Sequence, residues 1–497
     1  MKKASEIIDF NLYARQMMPQ NIIDVELEGL YGSKVLSEFA DLLRFYDIYD
    51  NGAKFLTEGS NGNYVPSDLR FREIASIINK EARFLFGKAP DFYVNAGDSN
   101  NETNKKNATI LQNLVNNVLS RNLFSSKLVK AAKDCFIGRR IAYIVNFDEL
   151  AKVQKITFVP SLEFIYETAD DDIDELTKLV IFYQLNDMKD KEEQRIYKKK
   201  YWMQEGFCHV TEIVYDGIGN EVEVIEKDKT TRFSYIPGGV IINDGLTGDM
   251  SGMSEVEQLD DYEAWFSRLS NADIDSERQN MNPIKWSRDM DPNSTKNLSV
   301  APGAFWDLAS DQNQDDIFQG AVGILESTMS YSSPLTNTLN RIKNSMLEQV
   351  DMPDTTPEAL KGVVSSGKTL KAIYWGLTAR CEEKMLAWRP ALEKIARIII
   401  DGSILYPLSV LRYSKDKIPD VDFSIVVENN YLLPEDETEE KNNDLAEVAQ
   451  QTMSKKSYMK KWRGLNDAEV EEELRQIAIE RQIIEDSFYN PPIGLEE

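Results

Sequence analysis

The spacing of apolar residues changes several times along the chain, and each change marks an element. Phe71, Ile74, Ile78, Ala82 and Leu85 fall at three- and four-residue steps, which predicts a helix that Gly87 and Pro90 stop. The polar stretch 95–107 reads as a loop or flexible tip, and 108–137 as a second helical run. From about 140 to 236 the texture turns to short β-branched and aromatic runs separated by turn residues, "RIAYIVNF", "KITFVPS", "EFIYET", "KLVIFYQL", "CHVTEIVY" and "RFSYIP", so this part is a β-rich insertion of short strands.

Helical periodicity then returns. Residues 254–281 form one long helix, with Ser254 as N-cap and Glu257 at N3 as a capping box, ending before Pro283. From 282 to about 325 prolines, asparagines and the aromatic pulses "PIKW" and "GAFWDL" indicate a small β or mixed unit. Helix 332–350 opens on a Ser cap with Pro334 in its first turn. "DMPDTTPEALK" (351–361), with Pro353 and Pro357, is a loop. Leu370, Ile373, Leu377, Cys381, Met385, Trp388, Leu392, Ile395 and Ile399 form a further helical stripe, which Pro390 should kink or split. A strand at 421–429, an acidic run at 434–444 and helices near 440–453 and 466–487 close the chain, with Asp467 and Glu469 in the opening turn of the last.

Composition narrows the functions. The chain has 497 residues, enough for several domains, and a net charge of −26, which argues against gripping nucleic acid by counterion release but not against letting it pass. Cys135, Cys208 and Cys381 are too few and scattered for a disulfide framework or a CxxC zinc site, and fit a reducing compartment. The single histidine, His209, leaves little room for His-based metal or triad chemistry. No segment approaches the 18 or more apolar residues of a membrane span, and no secretion signal is read at the start, so a soluble chain is expected.

"GVVSSGKT" (362–369) matches the P-loop pattern through Gly362, Gly367, Lys368 and Thr369. A P-loop needs a buried strand before it, and here "DMPDTTPEALK" stands there instead. The Walker-B-like run Ile398 to Asp401 lies inside a helical stripe. The segment therefore reads as a helix start, capped by Ser365 or Ser366, with Gly367 allowing the turn. "YKKKYW" (197–202) and "SKKSYMKKWRG" (454–464) mix lysine and aromatic residues and are either base-stacking surfaces or solvated faces, the latter favoured. Asp170, Asp171, Asp172, Asp174 and Glu175 read as a charged turn between strands rather than a Ca²⁺ or Mg²⁺ site, and His209 as a surface or edge residue of a strand. No catalytic site emerges.

The order of elements resembles the portal proteins of tailed bacteriophages, in particular those of long-tailed phages of Gram-positive hosts. The resemblance is carried by "INKEARFLFGKAPDF", by "FVPSLEFIYET" with "LTKLVIFYQL", by "GMSEVEQLDDYEAWFSRLSNADID", by "MPDTTPEALKGVVSSGKTLKAIYWGL" and by "MSKKSYMKKWRGLNDAEVEEELRQIAIE", in that order. Lys368 and Thr369 after the Ser-Gly pair depart from the family pattern and create the P-loop match.

The resemblance implies an α+β, portal-type subunit with long stem and wing helices. The wing spans 1–252, including the β-rich insertion 140–236, and continues in the long kinked helix and wing of 367–437. Stem helices lie at 253–281 and 332–350, a small mixed α/β clip at 282–331, a tunnel loop at 351–366 and a helical crown at 438–497. It implies a non-enzymatic subunit, without cofactor or metal, of a ring of about twelve copies at the unique capsid vertex of the virion, assembled in the host cytoplasm. Its expected partners are further copies, terminase, a head-tail connector or adaptor, major capsid and scaffolding proteins, and double-stranded DNA passing non-specifically, with no membrane. Asn337, Asn340, Arg341, Asn344 and Glu348 form the polar strip expected to line the channel, opposite Leu335, Leu339, Ile342, Met346 and Val350. Asp351, Pro353, Asp354, Thr355, Thr356, Glu358 and Lys361 are the expected tunnel-loop residues. The competing readings are a P-loop NTPase of a packaging motor and a monomeric adaptor.

Overall fold

The computed structural model describes residues 31–55, 65–97, 101–148, 153–186, 190, 192–246, 248–281, 284–288, 290, 321–325, 329–356, 367–406, 418–431, 437–465 and 467–489. These divide into two units, one of Met1–Pro353 with Gly376–Leu432, the other of Asp354–Trp375 with Leu433–Glu497. The expected α+β class holds, with long helices and several separate antiparallel sheets.

In the first unit, α1 (Tyr31–Asn51) and α2 (Glu73–Phe86) precede strand β1 (Asp91–Ala96), and α3 (Glu102–Arg121) and α4 (Phe124–Ile137) follow it. The stretch 95–107 is thus less of a loop than its polarity indicates. β1 reaches Ala96, and α3 starts at Glu102 because Asn101 accepts the N–H of Thr103 at 2.9 Å. β1 exists because of a partner more than three hundred residues away, β12 (Phe423–Glu428), with which it pairs antiparallel. The helical run 108–137 is split at Leu123, whose φ is 50°. Asn122 makes the break useful: its Nδ2 donates to Val118 O and Gln154 O, and its Oδ1 accepts Ile156 N at 2.9 Å, tying the end of α3 to the next sheet.

The β-rich insertion is real and consists of two sheets. β2 (Arg140–Asp148) runs between β3 (Val153–Pro160) and β9 (Gly238–Ile242). The other sheet is a meander of β4 (Phe164–Thr168), β5 (Leu176–Gln184), β6 (Ile196–Gln204), β7 (Phe207–Tyr215) and β8 (Glu221–Thr230). "RFSYIP" is not a strand: Phe233 and Ile236 are buried as irregular plugs, and the strand forms just after it at Gly238.

Three more long helices complete the unit. α5 (Glu255–Met281) packs on α6 (Ser332–Gln349), and between them in sequence β10 (Ile284–Arg288) pairs with β11 (Ala321–Leu325). The rest of the expected clip lies outside the described residues. Numbering in chain order, α7 is Gly367–Ile373 and α8 is Trp375–Leu405. Pro390 does not split α8, and the interruption falls at Tyr374 instead. The proline removes one backbone hydrogen bond, but Met385, Trp388, Leu392, Ile395 and Ile399 are buried on both sides of it, so packing holds the helix together. Leu377 and Cys381 extend the same buried stripe, as the periodicity predicts. Near its end Gly402 lies directly under the ring of Phe147, where any Cβ would overlap.

Besides α7, the second unit contains α9 (Glu437–Ala449), α10 (Lys455–Arg463) and α11 (Asp467–Tyr489). Two closing helices are expected from the sequence and three form. Ser454 caps α10, accepting Ser457 N at 3.0 Å, and Gly464 in the left-handed region (φ 65°) ends it.

Candidate channel segment and its supports

α6 shows the amphipathic division that its sequence predicts. Asn337, Asn340, Arg341, Asn344 and Glu348 are all exposed and recur at three- and four-residue steps, so they form one continuous polar strip. On the other side Leu335, Leu339 and Ile342 are half-buried, while Met346 and Val350 are fully buried. Lys343 reaches Glu73 of α2 at 3.4 Å.

α6 ends in a left-handed turn. Asp351 has φ 49°; its N–H donates to Glu348 O at 3.2 Å, and the N–H of Met352 donates to Leu347 O at 2.9 Å. This is the paired closing pattern that normally uses glycine, with Met352 buried behind it. Asp351 lies beside the first turn of α8, close enough that a Cβ added to Gly376 would stand 3.4 Å from Asp351 Cβ. Beyond Pro353 the chain passes into the second unit, where Thr356 N donates to Asp354 Oδ1 at 2.9 Å and Thr355 lies between them. Pro357, Glu358 and Lys361 lie outside the described residues.

α5 supports this segment through polar residues that no pattern in the sequence singles out. Glu263, Ser267, Asn271 and Asp275 stand four residues apart and so share one face. Each holds backbone of the stretch leading into α2. Asp275 accepts Ser67 N at 3.1 Å and Ser67 Oγ at 2.7 Å. Asn271 accepts Leu69 N at 2.8 Å and donates to Leu69 O at 2.6 Å. Ser267 Oγ accepts Phe71 N at 3.2 Å, and Glu263 accepts both Ile74 N at 2.6 Å and Ala53 N at 2.9 Å. The ladder supplies the partners that an extended segment otherwise finds in a neighbouring strand, and it fills an orphan donor at the start of α2. Burial pushes the Glu263 carboxyl up to about 7, despite the two N–H groups that favour its ionised form.

At the start of α5 lies a buried cluster of charges. Glu81 of α2 and Glu255 of α5 are fully buried and face Arg380 and Lys384 of α8. Arg380 Nε lies 3.0 Å from Glu81, Lys384 Nζ lies 2.8 Å from Asn243 Oδ1, and the Lys384 ammonium sits 4.3 Å from the Phe136 ring centroid. Burial alone raises both carboxyls. At Glu255 the nearby Lys384 and Arg380 charges overcome it and lower the value, whereas at Glu81 burial prevails. Lys384 is held protonated against its own burial by Glu255 and Glu81. Three elements distant in sequence are thereby joined at one point. The expected capping box forms only in part: Ser254 Oγ accepts Val256 N at 3.1 Å, while Glu257 turns to Arg139 at 2.8 Å.

The remaining sequence candidates resolve into structure. Lys199 of "YKKKYW" is paired with Glu212 at 2.9 Å, and Lys198 and Lys200 lie over the rings of Tyr215 and Trp202. In α10, Lys461 and Trp462 both reach Asp444, and Arg463 reaches Glu473. These cations are engaged within their own sheet or helices, which leaves the nucleic-acid reading without support. Asp170 to Glu175 form the turn between β4 and β5, and no metal-holding group of acids, His or Cys occurs among the described residues. His209 sits on β7, an inner strand rather than an edge, half-buried with Nδ1 at 2.9 Å from Asp228. All three cysteines are buried and unpaired. Of the P-loop match, Gly362 to Ser366 lie outside the described residues, while Gly367 begins a helix. Ile398 to Asp401 are helical, and Asp401 accepts the Tyr235 hydroxyl at 2.6 Å. Among the described residues no helix is long and apolar enough to cross a membrane.

Residues 34–486 match the family model described as phage portal protein, SPP1 Gp6-like. No curated protein matches the chain.

Proposed function

Because the chain belongs to the SPP1 Gp6-like family of phage portal proteins, structural rather than enzymatic capsid components that form rings, we propose that it is one subunit of a ring of about twelve at a single capsid vertex, around a channel for genome packaging and ejection. In this reading α5 and α6 are the stem, α6 turns its polar strip to the channel, and the loop after Asp351 is its narrowest part. The observation that carries the reading is the exposure of Asn337, Asn340, Arg341, Asn344 and Glu348 along one face of a helix whose other face is packed. A strip dominated by neutral amides meets water and phosphate without holding either. The net charge of −26 per copy adds repulsion that keeps passing DNA from sticking.

The same reading makes the outer parts of the ring the docking site for terminase during packaging and for a head-tail connector afterwards, with capsid and scaffolding proteins around it. Mass photometry and negative-stain imaging of the purified protein test it. Particles near twelve times 56.8 kDa with a central opening are expected. Compact monomers at micromolar concentration would end the proposal.

A further inference from the structure

A cavity of about 320 Å³ in the first unit lies between the loop after β9 and the exposed side of α8. Its floor includes Trp388, Lys384 and Asn243, all buried. Three apolar side chains stand open at its mouth, Leu246 at 84 % exposure, Leu386 at 68 % and Ile173 at 43 %, flanked by the exposed acids Asp244, Asp249 and Glu383. Lys384, the one basic residue lining the cavity, is spent on Glu255 and Asn243. The mouth is therefore both apolar and acidic, a combination suited to a cation carried on an apolar body.

The same unit presents such a group. On the outward face of α5, Trp265 is 53 % exposed, and the Arg268 guanidinium lies 5.1 Å from its ring centroid. Arg268 has no carboxylate partner among the described residues, in a chain whose acids outnumber its bases by 26.

We infer that the Trp265–Arg268 pair of one copy seats in the acid-rimmed cavity of the next. The inference rests on the ring reading above. A closed ring is built by a heterologous contact, in which one patch of the chain fits a different patch of its neighbour. Copies of like net charge repel at a distance, so the contact must bring opposite charges together locally. Tryptophan and arginine are the side chains that most often dominate such contacts when they enter a desolvated pocket. Here the ring would cover Leu386 and Leu246 while the guanidinium faces Glu383 and the two aspartates.

The test is covalent capture in the assembled protein. The variant with Trp265→Cys and Leu386→Cys, oxidised after assembly, should give a ladder of disulfide-linked chains on a denaturing gel, and neither single variant should. Background is low because the native cysteines are buried. Should the cysteine pair prevent assembly, charge exchange decides. Arg268→Glu should weaken association roughly 30-fold, the loss of one dominant contact, and Glu383→Lys in the same chain should restore most of it. Wild-type rings with neither a ladder nor rescue overturn this contact and leave the ring reading intact. Wild-type protein that forms no ring overturns both.

Discussion

Asn271 holds both backbone groups of Leu69, accepting its N–H at 2.8 Å and donating to its carbonyl at 2.6 Å, so one side-chain amide does for residue 69 what an adjacent strand does in a sheet. Replacing it leaves two backbone groups without a partner in a partly buried place, at a cost of roughly 1–3 kcal/mol. Asn271→Ala should therefore speed hydrogen exchange of the amides of residues 67–71 while leaving those of the five-stranded sheet unchanged. Equal protection in variant and wild type would show that the ladder holds nothing.

Glu263 gives a pH dependence of definite sign. Its carboxyl rises from the ordinary 4.5 to about 7 in the folded chain because it is buried, so between those values the folded state keeps a proton that the unfolded state has lost. Asp134 behaves alike: burial first, and Glu163 next, raise it from 3.8 to about 7. The contribution is full below about pH 4, declines as pH rises through 7 and is gone above it, for Glu263 at most roughly 3 kcal/mol. Thermal midpoints at fixed protein concentration should fall from pH 5 to 7.5, less steeply in Glu263→Gln. Parallel curves for the two proteins would refute the assignment.

The cluster around Lys384 predicts a strong asymmetry between single and paired changes. Lys384→Met leaves Glu255 and Glu81 to share Arg380 as their one remaining counter-charge in the cluster, a loss of roughly 3–5 kcal/mol. Adding Glu255→Gln removes the stranded charge and should recover a substantial part of that. The comparison is read from soluble yield and thermal midpoint. A double variant that simply adds the two single losses would show that the charges act independently.

Much of this was legible in the chain, and what was not has a common cause. The polar strip of α6 and the buried stripe of α8 follow from periodicity, since each helix has one packed face and one free face. Glu263, Ser267, Asn271 and Asp275 have an equally regular spacing, but it looks the same as that of a solvated face until residues 65–74 are laid against it. Glu81, Glu255, Arg380 and Lys384 likewise look like surface charges, because their burial is created by elements up to three hundred residues apart. The β1–β12 pair was half-hidden for the same reason: β12 announces itself by its apolar run, while β1 is short and sits between two helices.

The P-loop match yields a plain expectation. Neither the family match nor the helical Ile398–Asp401 supports nucleotide chemistry. Millimolar ATP with Mg²⁺ should leave the thermal midpoint of the protein unmoved, and Lys368→Ala should behave as wild type. A midpoint raised by ATP and lost in the variant would revive the motor reading.

Asp351 ends α6 in a backbone region that an L-residue occupies at a cost, and it sits directly before the loop proposed as the narrowest part of the channel. Glycine would keep the two closing hydrogen bonds, from Asp351 N and Met352 N, without the Cβ strain. Asp351→Gly should thus stabilise the end of α6 by about 0.5–1 kcal/mol, and Asp351→Val should cost about 1–2 kcal/mol. Both are measurable as slower and faster exchange of the amides of 350–352. Gly376→Ala provides the control, because its new Cβ would meet Asp351 at 3.4 Å, an ordinary contact, and it should change little. If Asp351→Gly instead destabilises the turn, the aspartate carboxylate itself makes a stabilising interaction worth more than the backbone strain, and the glycine-like reading of this helix end is wrong.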